Sequence, residues 1–214
     1  MYLNLILNLN LTLVLELKRI VMKGIVVFCG SSEGTDPQFA KDAYTLGATL
    51  AKQQIDLVYG GAKIGIMGKV AQGALDNKGK VIGVIPEFLK RKEVYHDGLS
   101  ELIITHNMHD RKLKMHELSD GILMLPGGFG TLEEFFEMLT WAQLGLHPYP
   151  IAVLNTNGFY DELLLMMKKM VEKGFVKNEN LDAILVYNHI DTLLEKMKDF
   201  KPLPIPQWMT KEEF

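Results

Sequence analysis

Cysteine is almost missing from this chain of 214 residues, where Cys29 stands alone. A single cysteine excludes an internal disulfide and suits a reducing compartment, so a cytoplasmic location is expected. A charge excess is missing too. The formal net charge of −3 gives no general pull toward nucleic acid or acidic membranes, and neither is expected as a partner. No segment repeats and none is of low complexity. Residues 201–214 read as a proline-rich extended tail, from Lys201-Pro202-Leu203-Pro204-Ile205-Pro206 onward. The first 21 residues lack an early positive charge, a continuous apolar block and a small-residue cleavage site. A signal peptide is therefore not expected, and their length and asparagines argue against a membrane span. The alternation from Leu3-Asn4-Leu5 to Leu13-Val14-Leu15 resembles a strand, which would be an aggregation hazard if exposed.

Several chemical signatures are incomplete as well. Gly128-Phe129-Gly130 lacks the third glycine of the dinucleotide fingerprint, with Glu133 in its place. The next strand ends at Asn155, where a ribose-binding carboxylate would be wanted, so a nicotinamide cofactor is not expected. Gly68-Lys69-Val70 has no Ser or Thr after the lysine and no glycine five residues before Gly68, which rules out a P-loop. His106, His109 and His116 come with neither HExxH nor a cysteine cluster. They read as exposed or capping residues, and no metal is expected. Cys29 reads as a small buried hydrophobe, since no nearby residue can be assigned as its base.

What is present is ordinary soluble-domain material: 48% hydrophobic and 23% charged residues, with length for one sizeable core. Apolar β-rich runs recur at Ile25–Cys29, Asp56–Tyr59, Val81–Ile85, Leu102–Thr105, Ile122–Leu125, Ile151–Leu154 and Ala183–Val186. They are near-continuous rather than alternating, as in parallel strands buried on both faces. Helical patterns lie between most of them. Asp36 as N-cap with Pro37 behind it opens one that runs to about Gln54. Others are expected over Ile66–Asp76, Thr131–Leu144 and Tyr160–Lys173. The pattern predicts a single doubly wound, Rossmann-like α/β domain with a mostly parallel sheet flanked by helices.

The chemistry concentrates in Pro126-Gly127-Gly128-Phe129-Gly130-Thr131-Leu132-Glu133-Glu134, where an apolar strand, a glycine-rich turn and a helix start meet. Glycines let the backbone turn sharply and approach a ligand. The helix start offers unpaired N–H groups and the positive end of a dipole, an anion site best suited to phosphate. Glu134 does nothing for phosphate affinity and has two readings. It closes a capping box with Thr131, or it acts as acid, base or electrostatic stabiliser on the phosphate's carrier. A second stretch, Met108-His109-Asp110-Arg111-Lys112, follows the apolar run Leu102-Ile103-Ile104-Thr105. It reads either as the solvated start of a helix or as an anion-binding element at the sheet's carboxyl edge. Gly60-Gly61 and Gly30-Ser31-Ser32 are two more glycine turns at that edge. Gly61 is a candidate wall of the same pocket, and the hydroxyls after Gly30, Ser31 first, are placed to serve ribose or phosphate.

These two motifs fit PGGxGTxxE and MHxRK without mismatch, and in order and spacing they resemble the Lonely guy family of cytokinin riboside 5′-monophosphate phosphoribohydrolases. Members also carry the label lysine decarboxylase. The resemblance runs from about Lys23 to Leu194 and takes in Phe28-Cys29-Gly30-Ser31-Ser32, Val58-Tyr59-Gly60-Gly61, Val84-Ile85-Pro86-Glu87 and Thr140-Trp141-Ala142-Gln143-Leu144-Gly145. It implies a domain over 22–200, with residues 1–21 as a non-family extension. It also implies hydrolysis of the N-glycosidic bond of a purine nucleoside 5′-monophosphate, with no cofactor. Arg111 and Glu134 are then the expected catalytic pair. Gly127, Gly128, Gly130 and Thr131 are expected on the phosphate. Lys112, Met108, Gly30, Ser31 and Gly61 are expected in substrate binding, Lys112 through charge or positioning. A homodimer or larger homo-oligomer is implied too, with the helix around Trp141 as a contributor. A non-catalytic nucleotide sensor or carrier of the same superfamily is the rival, and nothing marks a lysine for the chemistry of the decarboxylase label.

Overall fold

Seven of the apolar runs become strands of one sheet, because each is flanked by turn-forming residues and can be covered on both faces. The computed structural model describes residues 19–90 and 95–204. The strand expected near the N-terminus and the tail beyond Pro204 fall outside the described residues. In chain order the elements are β1 (Gly24–Phe28), α1 (Pro37–Lys52), β2 (Asp56–Tyr59), α2 (Gly65–Asp76), β3 (Val81–Pro86) and α3 (Glu87–Lys90). They continue with β4 (Glu101–Thr105), α4 (Met108–Glu117), β5 (Ile122–Met124), α5 (Phe129–Gln143), β6 (Ile151–Leu154) and a 3-10 turn at Thr156–Gly158. The chain then forms α6 (Asp161–Glu172), α7 (Asn178–Asp182), β7 (Ile184–Tyr187) and α8 (Ile190–Lys198). The short α3 and α7 were not legible as periodic segments, since neither spans enough turns to show a period.

Every neighbouring pair in the sheet is parallel, and the strand order is β4-β3-β2-β1-β5-β6-β7. Successive residues of each strand serve opposite layers. Ile25 and Val27 face the cluster formed with Leu46, Leu50, Val70, Leu193 and Met197. Val26 and Phe28 face the one formed with Met115, Phe135, Met138 and Met167. That two-sided burial is why the strands read as continuous apolar runs.

Capping follows the sequence at α1, where the Asp36 carboxylate accepts from the Gln38 N–H at 2.8 Å with Pro37 beside it. Helices α1 and α2 touch backbone to backbone. A Cβ at Gly47 would lie 2.0 Å from the Val70 carbonyl oxygen, and one at Gly73 would lie 2.0 Å from that of Tyr44. The described end of the N-terminal extension is tied down as well. The Ile20 N–H donates to the Lys198 carbonyl at 2.8 Å, and Arg19 pairs with Glu195 at 3.3 Å and Asp199 at 3.0 Å.

The order places β1 and β5 side by side while the chain leaves them in opposite directions across the sheet. Ligand crevices open at the carboxyl ends of strands at such a switch point. The loops after β1, β2, β4 and β5, all singled out in the sequence, lie along that edge.

Candidate active site

The loop after β5 is shaped by what its glycines must avoid. A Cβ at Gly127 would fall 2.2 Å from the Thr131 hydroxyl and 2.8 Å from the Gly30 N, so two loops and a helix meet there with no spare volume. Gly128 and Gly130 are different: a Cβ on either would meet nothing within 4 Å. Nothing in the protein requires these two to be glycine, and the space above them is open for a ligand. Helix α5 begins at Phe129 with Gly128 as its N-cap, and the first helical bond runs from the Leu132 N–H to the Gly128 carbonyl at 3.1 Å. The N–H groups of Phe129, Gly130 and Thr131 precede that bond and are oriented as anion donors. This start corrects the capping-box reading. Thr131 is the third helical residue, not the cap, and Glu134 lies in the second turn, too far along to reach back to an N-cap. Glu134 is thereby left without a capping role.

Glu134 instead meets Arg111. Helix α4 is capped by Asn107, whose side chain accepts from the Asp110 N–H at 2.9 Å, so Arg111 sits one turn in and points down onto the sheet edge. Its Nε donates to the Val84 carbonyl at 3.0 Å and its Nη1 to Glu134 Oε1 at 3.2 Å. Its Nη2 comes within 3.5 Å of the Gly60 carbonyl, and the Met108 sulfur lies 3.9 Å from Nη1. A guanidinium held by main-chain oxygens at the ends of β2 and β3 takes its position from the sheet itself. Both partners are only 9% exposed, which makes this a desolvated pair rather than a surface contact.

Burial dominates the electrostatics. Desolvation raises the Glu134 carboxyl, Arg111 and Lys112 oppose the rise, Glu133 and Glu137 add to it, and the balance is about 7. A buried carboxylate poised near neutrality at the carboxyl edge of the sheet marks a candidate reactive group. The Cys29 thiol is pushed up by its burial and then by the Glu134 charge, so it stays protonated as the sequence suggested.

The remaining predicted residues fall around this pair in different ways. Gly30 links three elements: its N–H donates to the Pro126 carbonyl at 3.1 Å and its carbonyl accepts from the Met67 N–H at 3.2 Å. Gly30, Ser31, Gly127 and Gly128 line a cleft of about 260 Å³ together with Phe39 and Phe159. Gly61 adopts φ +85°, a backbone state natural to glycine, beside the Arg111 anchor at Gly60. Lys112 does not face the cleft. Its ammonium lies 2.6 Å from Glu133 Oε1 and 2.9 Å from Glu137 Oε2 on α5. A more apolar cavity of about 280 Å³ lies at the opposite edge, where Ile151 and Ile184 begin β6 and β7, and has none of the predicted residues in its lining.

The sequence marked Gly60 without showing the part it plays, and it missed Tyr160 as a support of the site. A Cβ at Gly60 would sit 2.4 Å from the Arg111 Nη2, so its glycine makes room for the guanidinium. Tyr160 lies under the β5 loop, 3% exposed, and donates its hydroxyl to the Leu125 carbonyl at 2.8 Å. The Gly-Gly pair after β2 was the available signal for the first. The second has no local signal, because its partner is 35 residues away.

These features define a doubly wound α/β protein with an uncapped, glycine-rich helix start and a buried Arg–Glu pair at its switch point. The chain belongs to the family described as "Possible lysine decarboxylase", which matches residues 67–197. It is 42% identical over 180 residues to the cytokinin riboside 5′-monophosphate phosphoribohydrolase LOG1 of Arabidopsis thaliana, covering 84% of each chain. It is 44% identical over 170 residues to the cytokinin riboside 5′-monophosphate phosphoribohydrolase of Rhodococcoides fascians, covering 79% of this chain and 86% of that one. Among solved structures it is similar to a molybdenum cofactor binding protein from Rippkaea orientalis, with a TM-score of 0.63 and 25% identity over 82% of this chain and 96% of that one. The molybdenum cofactor carrier protein of Chlamydomonas reinhardtii, at 21% identity and a TM-score of 0.62 over 82% and 95%, shares the fold.

Proposed function

We propose that this protein hydrolyses the N-glycosidic bond of a purine nucleoside 5′-monophosphate, releasing the free base and ribose 5-phosphate. The observation that carries the reading is the buried Arg111–Glu134 pair at 3.2 Å beside an open helix start. A pure carrier needs the anion site but has no use for a carboxylate poised near pH 7. The relatives, named cytokinin riboside 5′-monophosphate phosphoribohydrolases, support that substrate class.

The chemistry follows from charge. As the C1′–N9 bond breaks, its electron pair goes to the purine, and positive charge develops on C1′ and the ring oxygen. An ionised Glu134 beside C1′ stabilises that charge and takes a proton from the attacking water. The water oxygen forms the new bond to C1′, and the proton that Glu134 takes from water balances the one the departing base gains, directly or through solvent. Arg111, itself fixed by the Val84 carbonyl, holds Glu134 in place. Phosphate on the N–H groups of Phe129, Gly130 and Thr131 places C1′ against Glu134, so binding energy far from the reacting atoms serves the reaction. Gly127, Gly128, Gly30 and Ser31 frame the same space.

Incubation with AMP, with isopentenyladenosine 5′-monophosphate and with the two nucleosides, followed by chromatography for free base, tests the reading. Base released from the monophosphates alone, and lost in Glu134→Gln with AMP binding retained, is the expected result. AMP binding without any release of base would instead establish the sensor or carrier, and a Glu134→Gln enzyme near the wild-type rate would remove Glu134 from the mechanism.

A further inference from the structure

Lys112 is adjacent to Arg111 in sequence, yet the two cations do different work. The Lys112 side chain crosses from α4 to α5, is 12% exposed, and contacts Glu133 and Glu137 at 2.6 and 2.9 Å. Burial disfavours its charge, but the hydrogen bonds to these two carboxylates prevail and raise its pKa overall. Glu133 and Glu137 stand four residues apart on α5, on either side of Glu134 in sequence. Two neighbouring cations of α4 thus grip three carboxylates in the first turns of α5.

We propose that Lys112 is a positioning residue rather than a phosphate ligand: it locks α4 to α5 so that Arg111 meets Glu134, and it offsets the charge of Glu133 and Glu137. The inference rests on the reading of Glu134 as the reacting carboxylate. The charged and titratable groups around Glu134 are Arg111 and Lys112 from α4, Glu133 and Glu137 from α5, and the neutral Cys29 thiol after β1. Removing Lys112 deletes one cation and leaves two carboxylates uncompensated. At helix-neighbour separations of about 6 Å and an effective dielectric constant of about 30, each unit charge moves a carboxyl titration by about one pH unit.

The test compares Lys112→Met, Lys112→Arg and Lys112→Met/Glu133→Gln/Glu137→Gln. Two readouts are taken: kcat and KM for AMP across pH, and the Glu134 carboxyl titration by carbon-13 NMR, which needs no turnover. In Lys112→Met the titration is expected to rise by at least about one pH unit, with kcat at pH 7 falling about fivefold or more and KM within twofold. Lys112→Arg restores both, and the triple variant, which removes two carboxylates with the one cation, brings the titration back to the wild-type value or about one pH unit below it. An unchanged titration, or a tenfold rise in KM at constant kcat, overturns the proposal, the second result making Lys112 a substrate ligand. If Lys112→Met does not fold, Glu133→Gln/Glu137→Gln in the Lys112 protein must lower the titration, and no change there is equally fatal. Absence of base release by the wild type would refute the proposed reaction and leave the NMR comparison intact.

Discussion

Replacing Glu134 by glutamine should make the folded state more stable as pH rises, relative to wild type, while removing activity. The native carboxyl titrates near 7 and the free one near 4.5, with burial as the main cause. Between these values the unfolded chain has released a proton that the native protein still holds, so raising the pH draws the wild type toward unfolding. The stability penalty is absent below about pH 4.5, grows through the window and is complete above about pH 7. Its full size is the difference between the two titrations at 1.36 kcal/mol for each pH unit, or about 3 kcal/mol. Glutamine stands in for the protonated acid and has no such dependence. Urea midpoints of the two proteins at half-unit steps from pH 4.5 to 8 give the difference directly. Titrations common to both, including those of the histidines, cancel. The charge-assisted bond to Arg111 forms only with the ionised carboxylate, so it is already counted in the native titration and adds no separate term. A stability difference that stays flat within about 0.5 kcal/mol across the range would mean that Glu134 ionises normally, and the poised-carboxylate reasoning would fail.

Two further substitutions probe the supports of the pair. Gly60→Ala puts a methyl group 2.4 Å from the Arg111 guanidinium, so it should lower kcat for AMP at least about tenfold with loss of stability near 1–3 kcal/mol; an enzyme with wild-type kcat would show that Arg111 has slack. Tyr160→Phe removes the hydroxyl bond to Leu125 under the phosphate loop, at a cost of about 1 kcal/mol in stability. Steady-state kinetics should show KM for AMP raised several-fold with kcat held, and the reverse pattern would separate Tyr160 from phosphate binding.

The inner strands were legible because burial on both faces makes them almost wholly apolar, and the half-exposed edge strands β4 and β7 because their β-branched residues are bounded by turn residues. β2 and β6 agree with the sequence reading at both ends, while the others shift by about one residue. Helix α1 was legible from Asp36 and Pro37, a cap with a physical signature. Helix α5 was placed two residues late, since Thr131 looked like a better cap than Gly128 and a glycine N-cap carries no side-chain signal. The site divides along the same line. The anion donors and Glu134 belong to one contiguous motif and could be read directly. The pairing of Arg111 with Glu134 spans 23 positions, and its anchorage at Val84 spans 27, so only the sheet order brings them together. Lys112 shows the limit most clearly. The motif places it beside Arg111, but the helical twist turns it toward α5, and a sequence cannot tell a cation aimed at a ligand from one aimed at its neighbours.

The arrangement answers why an acid should sit next to an anion site at all. Left to itself, a buried carboxyl remains protonated and is useless as a stabiliser of positive charge. Arg111 offsets part of that penalty without cancelling it. The observed balance is intermediate because the desolvation and the carboxylates of Glu133 and Glu137 pull one way while Arg111 and Lys112 pull the other. A carboxylate kept near its midpoint can stabilise a developing cation and also accept a proton from water, the two tasks that glycosidic hydrolysis sets. Rigidity is supplied separately, by main-chain oxygens of Val84 and Gly60 that cannot change rotamer. Tuning is therefore assigned to side chains on two helices and the seat of the guanidinium to the sheet, while Lys112, which bridges the two helices, bears on both.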